Sequence, residues 1–131
     1  MMAGPEAFVL DASAVLAWMY GEPGAEQAEA ALDGGHMSLV NLAEVTTKAV
    51  ERGASAAQVR QDLAAYGVQF HDFDADQADH SAELRTLTRA AGLSLGDRAC
   101  LALAQTLALP TLTVDKAWSG LSVGVSIMVI R

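Results

Sequence analysis

Short apolar runs alternate with longer amphipathic segments along the whole of this chain. The runs end at glycine, proline or acidic residues, which is typical of short buried strands, and the pattern predicts strands at 8–10, 36–40, 68–71, 111–114 and 123–130. The longer segments repeat apolar residues at helical spacing. They predict helices at 12–20, 25–32, 74–91 and 97–109, a helical turn at 116–118, and two further helices opened by Asn41 and Ser55 and closed by Gly53 and Gly67.

Strands that alternate with helices predict an α/β fold with a mainly parallel sheet and helices on both of its faces. The length of 131 residues fits a single domain spanning residues 1–131. In such sheets the binding crevice lies outside the carboxyl ends of the strands, where the strand order reverses. Asp11 and Asp115 each follow an apolar strand directly, so we expect both to face that crevice.

The composition narrows the class of protein. Hydrophobic residues make up 52% and charged residues 18% of the chain, which indicates an ordered core. The one cysteine, Cys100, cannot form an internal disulfide, which favours a reducing compartment. No basic leader precedes the first strand, and no apolar run approaches the roughly 20 residues that span a bilayer. We therefore expect a cytoplasmic protein without membrane contact.

The net charge of −8 bears on possible partners. Nucleic-acid-binding proteins usually carry a basic patch, so the acidity counts against such a partner. Carboxylates that collect to hold a cation would also make a chain acidic, and a bound divalent ion reverses the local field. The charge by itself leaves both interpretations open.

Four carboxylates lie at the edges of apolar elements: Asp11, Glu44, Asp97 and Asp115. Each has a local explanation, since two could cap the segment that follows and two stand three residues after Asn41 and Ser94, at capping-box spacing. Taken together, they favour a shared site, because the first turn of a helix stabilises an ionised carboxylate and ionised oxygens are the ligands of Mg²⁺ and Mn²⁺. We therefore predict that all four surround a divalent metal ion.

Other chemistries fit the sequence less well. His36, His71 and His80 lack the spacing of zinc ligands, so we interpret them as structural or surface residues. No phosphate-binding glycine-rich loop with its lysine is present, and Ser13 lacks the glycine context of a hydrolase nucleophile.

Five motifs give the chain a resemblance to a known family. They are VLDASAVLA at 9–17, GEPGAE at 21–26, SLVNLAEV at 38–45, LSLGDRACLALA at 93–104 and LTVDKAW at 112–118. In these motifs and in this order the chain resembles the PIN-domain ribonucleases, specifically the VapC-type toxins of bacterial toxin–antitoxin pairs. The resemblance spans nearly the whole chain, and four of the motifs each contain the expected acid.

The resemblance implies a sheet of order 3-2-1-4-5 and a Mg²⁺- or Mn²⁺-dependent endoribonuclease. A water activated by the metal would attack the phosphorus and leave a 3′-hydroxyl and a 5′-phosphate. Asp11 and Asp97 would be the most direct metal ligands, Glu44 would hold or orient a metal-bound water, and Asp115 would complete the cluster. Ser13 and Thr113 match polar positions that support the site.

The resemblance also implies partners: a homodimer, a VapB-type antitoxin and an RNA substrate whose identity the sequence does not reveal. We expect Trp18 and Tyr20 near the antitoxin groove, and Arg98, Arg85 and Arg89 as RNA contacts.

Three alternatives remain. One is a catalytically inactive PIN-fold module that binds RNA or protein. A haloacid dehalogenase-type phosphohydrolase would need a second Asp where Ser13 stands, and a receiver domain would need paired acids near the first strand.

Overall fold

Five short parallel strands form one sheet in the computed structural model, which describes residues 7–131. The sheet order is β3-β2-β1-β4-β5. The strands are β1 (Val9–Leu10), β2 (His36–Ser38), β3 (Gln69–His71), β4 (Thr111–Thr113) and β5 (Ile127–Val129). The predicted α/β fold and its strand order of 3-2-1-4-5 are confirmed.

Helices connect the strands, as right-handed crossovers between parallel strands require. They are α1 (Ala12–Tyr20), α2 (Ala25–Leu32), α3 (Leu39–Glu51), α4 (Ala56–Ala65), α5 (Ala75–Glu83), α6 (Arg85–Thr88) and α7 (Leu95–Leu107), with a 3₁₀ turn at Lys116–Trp118. Within residues 7–131, no helix is both long enough and apolar enough to cross a membrane.

The two faces of the sheet carry separate buried clusters. Adjacent residues of a strand point to opposite faces, and Leu10 accordingly packs with Met37 and Leu112 under α1, α3 and α4, whereas Val9 packs with residues of α7 and with Trp118. All five of these side chains are fully or almost fully buried. The core therefore holds helices on both faces of the sheet, as predicted.

Three predicted elements differ most from the structure, and the other boundaries shift by one or two residues. The hydroxyl of Ser38, not the side chain of Asn41, caps α3, so β2 ends at Ser38 and Asn41 lies inside the helix. The predicted helix 74–91 divides into α5 and α6, where the hydroxyls of Thr86 and Thr88 donate to backbone carbonyls. The last strand, predicted at 123–130, spans only Ile127–Val129, and the left-handed backbone of Gly124 interrupts the extended run before it.

The fold brings two strand ends together at the centre of the sheet. β1 lies between β2 and β4, and Leu10 is in register with Leu112. The strand order therefore reverses at β1, and the segments that follow β1 and β4 leave the sheet side by side. Asp11 follows β1 directly, and Asp115 lies two residues beyond the last residue of β4.

Candidate functional site

Asp11 is a buried carboxylate at the point where the strand order reverses. Its side chain is only 3% exposed and caps α1, with Oδ1 accepting a hydrogen bond from the backbone N–H of Ala14 at 2.9 Å. The residue has extended backbone geometry, which a helix cap requires. The cap explanation for Asp11 is therefore correct as local structure, but it does not account for the further contacts of this carboxylate.

Two hydroxyls donate to the same carboxylate. Ser13 Oγ lies 2.7 Å from Oδ1 and 2.9 Å from Oδ2 of Asp11, and Thr113 Oγ1 donates to Oδ2 at 2.7 Å. Each hydroxyl also accepts a backbone N–H, that of Val114 for Ser13 and that of Asp115 for Thr113. The carboxylate after β1 is thus tied to the segment after β4, and both predicted supporting residues contact it.

The environment of Asp11 opposes its ionisation. Burial raises the pKa of Asp11 from 3.8 to about 6, although the hydrogen bonds from Ala14, Thr113 and Ser13 act to lower it. The negative charge of Asp97 adds to the rise. A buried acid that is destabilised by a neighbouring acid is the arrangement that a bound cation relieves.

Glu44 reaches this region from α3. The side-chain amide of Asn41 donates to Glu44 Oε1 at 2.9 Å and to the backbone carbonyl of Gly96 at 2.9 Å. A methyl group at Gly96 would overlap the Glu44 carboxylate, so this carboxylate lies directly against the first turn of α7. The sequence pattern indicates Glu44 as a site residue but not Asn41 or Gly96, because their contact joins residues far apart in the chain.

Asp97 lies in the first turn of α7 and forms a capping box with Ser94. Its Oδ2 accepts the backbone N–H of Ser94 at 2.9 Å, and its own N–H donates to Ser94 Oγ at 3.2 Å. The capping box considered from the sequence is therefore present. It fixes the side chain at the amino end of α7, where the helix dipole favours an ionised carboxylate.

Three of the four predicted acids act electrostatically on one residue in the first half of α7. Cys100 is fully buried there, and burial raises the pKa of its thiol. The negative charges of Asp11, Asp97 and Glu44 raise that pKa further, so all three carboxylates lie within electrostatic reach of one sulfur atom. The fold thus concentrates negative charge at this end of the sheet.

Asp115 is placed differently from the other three acids. It is exposed, and its Oδ1 accepts the backbone N–H of Ala117 at 2.9 Å, so it caps the 3₁₀ turn. Its own N–H donates to Thr113 Oγ1, which in turn donates to Asp11. Asp115 therefore stands beside the Asp11 network without a direct bond to the Asp11 carboxylate.

The acids do not form a complete ligand set. Among residues 7–131, no three acidic, histidine or cysteine side chains stand close enough together to hold a metal ion. Each of the four carboxylates accepts a hydrogen bond from its own neighbourhood. The atoms that these carboxylates could offer to a metal ion are nevertheless all hard oxygens. The buried Oδ1 of Asn41, beside Glu44, has no hydrogen-bond partner among the described residues. The chemistry of these oxygen atoms, rather than their spacing, is therefore what fits a divalent cation of the Mg²⁺ type.

The predicted RNA contacts occupy two environments. Arg85 and Arg89 are exposed in and just after α6. Arg98 is half-buried, its Nη1 donates to the carbonyl of Ser81 at 2.8 Å, and its buried Nε has no partner among the described residues. Arg98 thus braces α7 against α5, whereas Arg85 and Arg89 present free guanidinium surface.

The predicted antitoxin residues, Trp18 and Tyr20, lie in the last turn of α1, at the other end of this helix from Asp11. Trp18 lines a cavity of about 380 Å³ together with Met19, Val59, Asp62 and Leu63, between α1 and α4. Its ring packs edge-on against Tyr66, with ring centroids 4.9 Å apart. Tyr20 is adjacent but lies beneath Arg52, whose guanidinium carbon is 3.9 Å from the ring centroid.

The histidines form no metal site in the part of the chain that the structure describes. His36 and His71 instead pair across β2 and β3, with Nδ1 of the first 2.8 Å from Nε2 of the second. Burial and the neighbouring His71 lower the pKa of His36. His80 is exposed in α5.

The fold is shared with solved complexes. The chain is similar to a toxin–antitoxin complex from Klebsiella pneumoniae (24% identity, TM-score 0.76), with 95% of this chain and 98% of that chain covered. It is also similar to DNA-bound VapBC from Salmonella typhimurium (15%, TM-score 0.68, 97% and 100% covered) and to VapBC-5 from Mycobacterium tuberculosis (26%, TM-score 0.59, 97% and 99% covered).

No curated protein matches the chain in sequence. The sequence model of the PIN domain family, in contrast, matches residues 8–123. This match includes all four of the predicted acids and both of the hydroxyls that contact Asp11. The chain therefore belongs to the PIN domain family.

Proposed function

We propose that the chain is a Mg²⁺- or Mn²⁺-dependent endoribonuclease and the toxin of a toxin–antitoxin pair. The observation that carries the proposal is the buried Asp11, which is hydrogen-bonded to Thr113 at the end of β4 and lies within electrostatic reach of Asp97. A structural role alone would be served better by a neutral group, because burying a carboxylate near other acids is costly.

Asp11 and Asp97 would hold the metal ion most directly, with Glu44 and Asp115 completing the set. When bound, a divalent cation would supply Lewis-acid chemistry and stabilise the charge that develops on a phosphodiester. Ser13 and Thr113 orient the Asp11 carboxylate through their hydroxyl donors. Glu44, whose carboxylate lies against the first turn of α7, would hold or orient a metal-bound water.

Arg85 and Arg89 are the proposed phosphate contacts, since both are exposed and cationic in an otherwise acidic molecule. Arg98 is a weaker candidate for this role, because its guanidinium already bonds to Ser81.

The proposed partner is a VapB-type antitoxin, because the similar complexes are VapBC and toxin–antitoxin assemblies. We place the antitoxin in the groove lined by Trp18, Met19 and Leu63, which offers an apolar floor with the carboxylate of Asp62 at its edge. The homodimer stays a prediction of the family resemblance, which the molar mass of the purified chain in solution would check.

The test is cleavage of total cellular RNA by the purified chain without antitoxin. The reactions contain Mg²⁺, Mn²⁺ or EDTA, and they compare the wild type with Asp11→Asn. Asp79→Asn, which removes an exposed carboxylate from α5, serves as the matched control. We expect discrete fragments with the wild type and with the control, lost in EDTA and reduced at least about 100-fold by Asp11→Asn.

Two further results bear on this proposal. A combined Arg85→Glu and Arg89→Glu variant should raise KM for RNA and leave kcat nearly unchanged. If wild type and Asp11→Asn give the same fragments, the activity is a contaminant, and the inactive binding module becomes the better interpretation.

A further inference from the structure

Asn41 is a polar side chain buried between two helices that each carry a proposed site acid. It is 1% exposed, in the first turn of α3, and faces the amino end of α7. Burying an amide is unfavourable unless its polar atoms find partners. The partners that Asn41 finds therefore indicate what this residue is for.

Both hydrogens of the Asn41 side-chain amide are donated to groups at the proposed site. Nδ2 donates to Glu44 Oε1 and to the carbonyl of Gly96, each at 2.9 Å. Since both partners only accept hydrogen bonds, the amide can lie in one orientation only. A single side chain thus links a carboxylate of α3 to the backbone next to Asp97 in α7.

Gly96 provides the space for this arrangement. Its backbone is helical rather than left-handed, so a special conformation does not require glycine here. A Cβ at this position would overlap the carboxyl group of Glu44. Glycine is also less favourable than alanine inside a helix. The close approach of the Glu44 carboxylate is therefore the physical reason for a glycine at this position.

We propose that Asn41 and Gly96 form a seat for Glu44 and act as positioning residues for the proposed metal centre. The seat is the pair of contacts just described: the Asn41 amide fixes Oε1, and the bare Cα of Gly96 admits the carboxylate against α7. Glu44 has a long, flexible side chain that would otherwise sample many rotamers. This inference rests on the proposed function, because it assigns the seat to the acid cluster.

The first measurement is Mn²⁺ binding to the metal-free chain by isothermal titration calorimetry. We expect Asn41→Leu and Gly96→Ala each to weaken Mn²⁺ binding about 10- to 100-fold, the range for residues that orient metal ligands. Gln58→Leu is the matched control, because Gln58 makes a similar amide-to-carboxylate bond, to Asp62, on the exposed surface of α4. The control should bind Mn²⁺ as the wild type does.

Gly96→Ala separates positioning from folding. Alanine is the better helix former, which offsets the cost of displacing the flexible Glu44 side chain, so this variant should unfold close to the temperature of the wild type while its Mn²⁺ affinity falls. Loss of affinity in a variant that is equally stable cannot be attributed to a damaged fold.

A double-mutant cycle then tests whether Asn41 acts through Glu44. If it does, Asn41→Leu should weaken Mn²⁺ binding in the wild type. In a chain that already carries Glu44→Gln, the same substitution should change the Mn²⁺ affinity by less than about twofold. The same cycle, read by thermal unfolding in EDTA, should show that the two residues are coupled in the absence of metal. Independent, additive effects in both cycles would overturn the seat.

The outcomes distinguish the two proposals. One outcome is that the wild type binds Mn²⁺, the Asp11→Asn variant fails to bind it, and the Asn41→Leu and Gly96→Ala variants bind it as the wild type does. In that case the proposed seat for Glu44 is wrong and the proposed function stands. If the wild type neither binds Mn²⁺ nor cleaves RNA, the proposed function fails, and with it the metal role of the seat.

Discussion

At the scale of single residues, the site is defined by how each carboxylate is partnered. Asp11 is buried and accepts bonds from Ala14, Ser13 and Thr113, whereas Asp115 is exposed and caps a turn. Burial makes the charged form of Asp11 energetically costly, because an ionised group loses far more solvation inside the protein than at its surface. The free energy of unfolding should therefore depend on pH and on bound metal chiefly through Asp11.

The first prediction concerns the stability of the metal-free chain as a function of pH. The folded-state pKa of Asp11 is about 6, above its ordinary value of 3.8, so the folded state binds the proton more tightly than the unfolded state. The free energy of unfolding should therefore fall as pH rises from about 4 to about 6, by up to about 3 kcal/mol from this group, and stay low above that range.

Asp11→Asn should lack this fall. In EDTA, the stability of the variant relative to the wild type should increase by about 3 kcal/mol between pH 4 and pH 7.5. Urea unfolding followed by tryptophan fluorescence measures it, since Trp118 is fully buried. Added Mn²⁺ should stabilise the wild type at pH 7.5 more than the variant. Parallel pH profiles for the two proteins would contradict the assignment.

At the scale of elements, helix ends place the acids. Asp11 opens α1, Asp97 lies in the capping box of α7, and Asp115 opens the 3₁₀ turn. In each case the carboxylate satisfies backbone N–H groups that have no partner within the helix. Local capping therefore holds each acid at the correct end of the sheet, and tertiary packing then sets the distance between them.

The second prediction concerns the opposite end of α7. Ala108 ends this helix with φ of 54°, the only non-glycine residue in residues 7–131 with a left-handed backbone. Because a Cβ is unfavourable in that conformation, Ala108→Gly should stabilise the chain by about 0.5–1 kcal/mol in urea unfolding.

Gly21 supplies the matched comparison for this prediction. It ends α1 with φ of 63° and has no neighbouring atom near its missing Cβ, so only backbone strain should affect Gly21→Ala. We expect that variant to lose about 1 kcal/mol. If both substitutions shift stability in the same direction, the left-handed cap is not the controlling feature.

At the scale of the whole molecule, the two proposed surfaces lie at opposite ends of α1. Asp11 caps its amino end, and Trp18 and Met19 in its last turn line the groove between α1 and α4. Acidic residues outnumber basic ones by 16 to 8, so the chain as a whole repels RNA in the absence of cations. A divalent ion at Asp11 would remove this barrier where the proposed reaction takes place.

The third prediction concerns the proposed antitoxin groove. Trp18→Ala removes a large side chain from the groove and its edge-on contact with Tyr66, so affinity for the cognate antitoxin should fall by about 2 kcal/mol or more, as for an aromatic hot spot. RNA cleavage without antitoxin should be unchanged. Calorimetry or biosensor binding measures the affinity, with Met128→Ala as the control because Met128 is an exposed apolar residue of β5.

An unchanged affinity of Trp18→Ala would rule out this groove as the antitoxin site. Tyr20→Ala tests the adjacent position, where the ring supports Arg52 rather than lining the cavity. Its effect should therefore be smaller than that of Trp18→Ala.

The sequence by itself determined the α/β class, the opening of α4 at Ser55 and the capping-box spacing of Ser94 and Asp97, and its resemblance to the PIN-domain ribonucleases implied the strand order. These features depend on local spacing and on motifs, which can be read along the chain. The errors were also local, since Ser38 and Asn41 are both of residue types that cap helices and the sequence does not rank them.

Only the tertiary structure decided which side chains meet. The bond from Asn41 to Gly96 spans 55 residues, and the bond from Thr113 to Asp11 spans 102. The bond from Arg98 to Ser81, which removes this arginine from the free surface, depends on how α5 packs against α7. Burial and long-range hydrogen bonds arise from the packing of helices and strands, so the pKa of Asp11 and the position of Glu44 became visible only in the folded chain.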